Sequence, residues 1–171
     1  MKNLSVLIFV AVSFFVIQML SAQNPAISTA HSDAEIVRMI EQFRAANSRD
    51  VVPSNNLQKH FRTHFPNARR VEWERAAGIY EAEFKIGRRD FKAFYDSNGN
   101  LLMIVEEIHR SALPAVVRNA AEARHPKSRI DDVYKIRRGT ETLYRVKMDR
   151  RGTEVKLLIS SGGAILNERI D

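Results

Sequence analysis

The chain opens on an unbroken run of apolar residues and serine, Leu4 to Ile17, behind the short basic start Met1-Lys2-Asn3 and ahead of Gln18. A basic start, an apolar core and then a small residue, Ala22, are the layout of a secretory signal peptide. The core falls short of the ~20 apolar residues that a membrane span requires. Residues 1–22 are therefore expected to be cleaved, leaving a mature chain that begins at Gln23 and has no membrane span. Gln23 to His31 is small and polar and reads as a flexible lead-in. Ser32-Asp33-Ala34-Glu35 then forms a capping-box pattern. Ile36, Val37, Met39, Ile40 and Phe43 follow at helical spacing and predict a helix from Asp33 to Ala46 with one apolar stripe. Asn47 to Pro53 reads as a polar, proline-terminated linker that sets this helix apart as an accessory element.

Beyond Pro53 the same pattern occurs twice. Ser54 can cap a helix with Leu57, Phe61 and His64 on one stripe, and Phe65-Pro66 stops it, because a residue before proline is driven out of the α region. Pro114 suits a second helix start, Val117 and Ala121 continue its stripe, and His125-Pro126 stops it in the same way. The helix stops are 60 residues apart. Farther on, Tyr80, Phe91, Phe94, Gly99 and Leu102 match Tyr144, Val155, Leu158, Gly163 and Leu166 at an offset of 64. A four-residue lengthening between Pro126 and Tyr144 reconciles the two offsets.

After each helix come four alternating or apolar runs. In the first copy they are Val71 to Glu74, Tyr80 to Ile86, Phe91 to Tyr95 and Leu101 to Val105; in the second, Val133 to Ile136, Leu143 to Met148, Glu154 to Ile159 and Ala164 to Ile170. The connections are short and glycine-bearing, which marks hairpins and an antiparallel meander, since a parallel crossover needs a dozen or more residues. The predicted fold class is α+β: a tandem repeat of a helix plus a four-stranded antiparallel meander, at 54–109 and 110–171. An extra N-terminal helix precedes the repeats, in a 23–53 segment that follows the signal peptide.

Phe65-Pro66-Asn67-Ala68 leading to Val71-Glu72-Trp73-Glu74, then Tyr80-Glu81-Ala82-Glu83-Phe84, Phe94-Tyr95-Asp96-Ser97-Asn98-Gly99, and Leu113-Pro114 opening the second helix resemble the PepSY-like, beta-lactamase-inhibitor-like family of exported bacterial proteins. The resemblance spans about Val52 to Asp171. It implies the tandem fold, a periplasmic or secreted location and a non-catalytic role, and it brings no defined functional residues. The second copy has no aromatic residue in the register of Trp73.

Composition sharpens this picture. Of 171 residues, 44% are apolar and 27% charged, the balance of a globular protein. With no cysteine there can be no disulfide, zinc thiolate or thiol nucleophile. The formal charge of +7 is uneven. Ser54 to His109 holds 9 basic and 8 acidic residues, whereas Arg110 to Asp171 holds 14 and 8. A basic second copy suits an acidic partner or an anionic ligand. Export and the interleaved acids argue against nucleic acid.

Motifs that could carry catalysis or metal are weak. His60 and His64 share a helix face, but HFRTH lacks the glutamate of H-E-x-x-H and a third ligand, so no metal or cofactor is expected. Asp96, Asn98, Asn100 and Glu107 sit at calcium-loop positions, yet Leu101 stands where that loop needs glycine. The Glu72/Glu74 and Glu81/Glu83 pairs fit the solvated side of strands, and Ser160-Ser161-Gly162-Gly163 fits a turn. No enzyme is expected. If Tyr80, Ala82, Phe84 and Tyr144, Val146, Met148 face the helices, alternation puts Glu81, Glu83, Lys92, Phe94, Arg145, Lys147, Lys156 and Leu158 on the opposite sheet face. That face is the expected binding surface, with Phe94 and Leu158 as apolar anchors for a protein or peptide of the cell envelope, or the basic residues as contacts for an anionic envelope ligand.

Overall fold

The computed structural model describes Ile27 and residues 31–171; the segment read as a signal peptide lies outside the described residues. In chain order these are α1 (Asp33–Ala45), β1 (Arg49–Asp50), α2 (Asn55–His64), β2 (Arg69–Ala76), β3 (Ile79–Ile86), β4 (Arg89–Tyr95) and β5 (Leu101–Ile108). A 3-10 turn (Arg110–Ala112), α3 (Ala115–Arg124), β6 (Arg129–Arg138), β7 (Glu141–Arg150), β8 (Thr153–Ser160) and β9 (Ile165–Ile170) follow. The strands join in sequence order into one nine-stranded antiparallel sheet.

Tight turns impose that order. Ala76 pairs with Ile79, leaving only Ala77 and Gly78, at φ 48° and 80°. Arg150 pairs with Thr153, leaving Arg151 and Gly152, at φ 54° and 88°. Two successive positive φ values make the turn whose twist matches that of the flanking strands. The sheet runs unbroken from the first copy into the second, because β5 pairs with β6 from Met103↔Arg138 to Ile108↔Val133.

Local signals set the helix ends. Ser32 Oγ accepts from the Glu35 N–H while the Glu35 carboxylate accepts from the Ser32 N–H, so the predicted capping box starts α1. Phe65 and His125, each before a proline, leave the helical region at φ −132°, ψ 67° and φ −132°, ψ 70°. The two stops share one geometry. The four extra residues of the second copy lengthen a single hairpin: β2 and β3 have 8 residues each, β6 and β7 have 10 each.

Three apolar clusters hold the sheet. Leu57, Phe61 and Phe65 from α2 pack on Ala82, Phe84, Ala93 and Ile104, and Val117 and Ala121 from α3 pack on Val133, Val146 and Leu157. Ile104 pairs with Arg137, four residues from Val133, so by alternation both helices lie on one face of the sheet. The other face is the correction to the sequence reading. Ile36, Ile40 and Phe43 of α1 pack there with Phe94, Met103, Val105, Ile136 and Leu143. A face expected to lie bare is covered across its middle. The segment read as a linker also contributes β1, whose two residues pair with Arg75 and Glu74 at the edge of β2.

Phe61 is the hub of the α2 cluster, with ring centroids 5.2 Å from Trp73, 5.0 Å from Phe84 and 5.3 Å from Phe65. Trp73, partly buried, thereby packs against the edge of this core. Phe61→Ala is expected to cost about 3–5 kcal/mol, read as a fall in the urea midpoint at unchanged m-value.

Candidate functional site

The far face, opposite α2 and α3, carries two four-residue clusters at equivalent places in the two copies. In the first, Glu81 pairs with Phe94 and Glu83 with Lys92 across β3 and β4. In the second, Arg145 pairs with Leu158 and Lys147 with Lys156 across β7 and β8. All eight expected surface residues thus share a face, but their environments differ.

In the first cluster Lys92 Nζ lies 2.6 Å from Glu81 Oε1 and 2.8 Å from Glu83 Oε2. Partial burial opposes the charge of Lys92, but the two carboxylates outweigh it and raise its pKa. Phe94 is only 3% exposed and meets the Phe43 ring edge-on at 5.8 Å, and Glu81 is 7% exposed. Phe94 is therefore a core residue beneath α1 and offers no anchor to a partner. This corrects its assignment to a solvent-facing surface.

The second cluster lies beyond α1 and stays partly open. Lys147 and Lys156 both bind Glu154, at 2.6 and 2.7 Å; Lys156 also meets Asp171 at 2.5 Å, and Asp132 lies 3.5 Å from Lys147. Neighbouring acids in the same copy thus neutralise most of the predicted basic patch. Arg145 differs: its guanidinium stacks 4.3 Å over the Tyr134 ring, and among the described residues it has no ion pair. Leu158 is half-buried at the margin of the α1 cluster.

The candidate chemistries resolve into structural roles. His60 Nδ1 lies 3.3 Å from the Gly99 carbonyl, and His64 Nδ1 lies 3.4 Å from the Tyr95 hydroxyl. Burial, with a smaller effect of His60, lowers the His64 pKa, and burial raises that of the Tyr95 phenol. Among the described residues no three metal-ligating side chains converge. Gly99 needs its hydrogen side chain: at φ 86° its Cβ would stand 3.0 Å from His60 Nδ1. His109 Nδ1 lies 2.7 Å from Ser111 Oγ but also accepts from the Ser111 N–H, which makes it a cap on the 3-10 turn. A cleft of about 430 Å³ between Arg88, Asp90, His109, Arg110 and Asp131 has mixed charge. Two of its acids are held elsewhere, Asp90 by Lys85 and Asp131 by Arg129.

Asp96, at a position where the sequence favours a hairpin turn over a calcium loop, is a hairpin clamp. Its Oδ1 accepts the N–H groups of Asn98 and Asn100, at 2.9 and 2.8 Å, while Oδ2 accepts the Asn100 amide at 2.8 Å and lies 3.1 Å from His31 Nε2. A carboxylate met by donors on every side suits a turn and leaves no room for a cation. Sequence reasoning also missed a charged clamp in the second copy, where Glu168 on β9 meets Arg124 at 2.7 Å and His125 at 2.9 Å at the end of α3. At the same offsets the first copy has Phe65 and Ile104 in its apolar core. Comparing the copies position by position would have revealed that exchange.

With this geometry in hand, comparison places the chain in a family. A model described as "Putative beta-lactamase-inhibitor-like, PepSY-like" matches residues 38–103 and again 92–167, and the chain belongs to that family. Among solved structures, a BLIP-like protein from Bacteroides fragilis is 28% identical with a TM-score of 0.63, over 70% of this chain and 87% of that one. A DUF2874 family protein from Bacteroides uniformis shares the fold at 19% identity and a TM-score of 0.66, over 70% and 90%. So does a protein of Bacteroides eggerthii described as among "putative periplasmic proteins", at 15% identity and a TM-score of 0.66, over 70% and 90%. No curated protein matches the chain. Among the described residues no helix is long and apolar enough to cross a membrane.

The Asp96 clamp yields a pH prediction. Burial alone would raise its pKa, but the hydrogen bonds from Asn100, His31 and Asn98 outweigh burial and lower it. A depressed carboxyl pKa contributes stability above the unfolded value of about 3.9, which disappears as pH falls through the folded value. Asp96→Asn should therefore lose about 1–3 kcal/mol at neutral pH. Its urea midpoint should converge on that of the wild type as pH falls through the lowered, folded-state pKa.

Proposed function

We propose that the protein is an exported, non-enzymatic, inhibitor-like binding module that docks a protein through the far face of its sheet. Membership of a beta-lactamase-inhibitor-like family supports the inhibitor-like, non-catalytic reading. The signal-peptide pattern of Met1 to Ala22 and the similarity to a protein described as periplasmic favour a periplasmic or secreted location. We take the repeating units as 54–109 and 110–171, each one helix and four strands, with 23–53 as an added segment.

The observation that carries the docking reading is Arg145. It stands on the part of the far face that α1 leaves open, stacked on Tyr134 and beside half-buried Leu158. A stacked guanidinium with donors to spare, next to an aromatic and an aliphatic side chain, is the composition of an interface anchor. Lys147 and Lys156 would form its polar surround, where charge steers encounter more than it adds affinity, while Glu83 and Lys92 lie at the other end of the face, beyond α1.

The alternative, an anionic envelope ligand bound by Arg145, Lys147, Lys156 and the Arg150-Arg151 turn, is disfavoured because Glu154 and Asp171 already occupy both lysines, which leaves the exposed turn without their help. Salt separates the two readings. Capture of an envelope protein by the mature chain should persist from about 50 to 500 mM NaCl, whereas contacts between exposed charges would be screened away. Arg145→Glu should reduce capture at least tenfold while shifting stability by no more than about 0.5 kcal/mol. Unchanged capture by Arg145→Glu would count against this surface.

A further inference from the structure

Helix α1 occupies the middle of the face assigned above to docking, and the details of its seat show what that face accepts. Both copies build the seat: Ala76 and Ile79 come from the β2–β3 hairpin, and Ile136 and Leu143 from the longer β6–β7 hairpin. Phe94 and Val105 lie between them. Into this strip α1 sets Ile36, Ile40 and Phe43, a stripe at i, i+4 and i+7.

The polar groups of the seat do not depend on α1. Glu81 is already satisfied by Lys92 of the neighbouring strand, and among the described residues no ion pair joins α1 to the sheet. Lifting α1 away would expose an apolar strip and strand no buried charge. Its flank is poorly matched, since the charged head of Arg44 is disfavoured first by burial against the sheet and next by Arg145, with Glu81 compensating only in part. The chain after α1 is exposed from Ala46 to Asp50, with Arg49 and Asp50 pinned to the edge of β2, so Ala46 to Ser48 form a short tether between α1 and β1.

We propose that α1 is a built-in, releasable occupant of the docking face, and that the partner element replacing it is an amphipathic helix with the same stripe: branched aliphatic residues at i and i+4 and an aromatic residue at i+7. This proposal rests on the docking reading and deepens it. Binding would then be an exchange of one helix for another, with partner affinity reduced by the fraction of molecules in which α1 is seated.

The test uses the full mature chain and a fluorescein-labelled peptide of residues 31–47. The wild type should bind the peptide at least tenfold more weakly than Ile40→Asp, which unseats α1 without altering the sheet. Hydrogen exchange on the wild type gives a measure free of any variant: the amides of Ile36 to Phe43 should open independently of those of Leu102 to Val105, at least tenfold faster. A folded Ile40→Asp chain that binds no better than wild type overturns the proposal. So does exchange of α1 and β5 as one unit, which also decides the matter if Ile40→Asp fails to fold. Should peptide binding fail while the wild type still captures an envelope protein, the helix exchange falls and docking stands. Should the peptide bind the unseated chain while neither form captures a protein, the docking reading falls and the releasable seat stands.

Discussion

The structure depends on one burial constraint: β5 must be dry on both sides. Leu101 to Val105 are all buried, so each face of this strand calls for an apolar cover, on one side α1 or a helix that takes its place. Antiparallel sheets usually satisfy themselves with one covered face, and a continuous apolar run marks a strand covered on two. Here Leu101 and Ile104 lie under α2, and Met103 and Val105 lie under α1. The layer order, with α2 and α3 on one side and α1 on the other, follows from that strand. Because β5 is also the strand that pairs with β6, the same residues weld the two copies into one sheet.

The second copy shows what happens without that constraint. β9 is the counterpart of β5, yet no further strand among the described residues pairs with it and α1 does not reach it. Leu166 is 52% exposed where Leu102 is fully buried, and Glu168 takes the place of Ile104. With water beside it, β9 is docked to α3 by Arg124 and His125 acting on a carboxylate, where the first copy relies on apolar packing. Charged contacts on an edge strand also discourage unwanted pairing with other sheets. The opposite edge is blunted by the two charged residues of β1.

The same asymmetry positions the candidate surface. The far face has an acidic, self-neutralised end where Lys92 bridges Glu81 and Glu83, a middle closed by α1, and a more basic end where Arg145 lies over Tyr134. Eight residues could be assigned to one face from alternation alone, because side-chain direction follows from strand period. Whether each meets water could not. Phe94 and Leu158 are equivalent by repeat and by face, yet one is core and the other marginal, solely because of where α1 lies.

The local rules of the backbone were therefore legible in the sequence: the capping box at Ser32 and Glu35, the helix stops at Phe65 and His125, the tight turns, the doubling and the uneven charge. Each depends on the steric or hydrogen-bonding preferences of a few adjacent residues, which no distant packing had to complete. Tertiary structure alone decided that α1 covers the far face, that Glu81 is buried there beside Lys92, and that Glu168 clamps α3. Phe43 meets Phe94 from 51 positions away and Glu168 meets Arg124 from 44, and such contacts depend on which apolar surfaces meet once the hairpins stack. The run from Leu101 to Val105 was the one sequence signal of a second cover; it states that burial is needed and leaves unstated which segment supplies it.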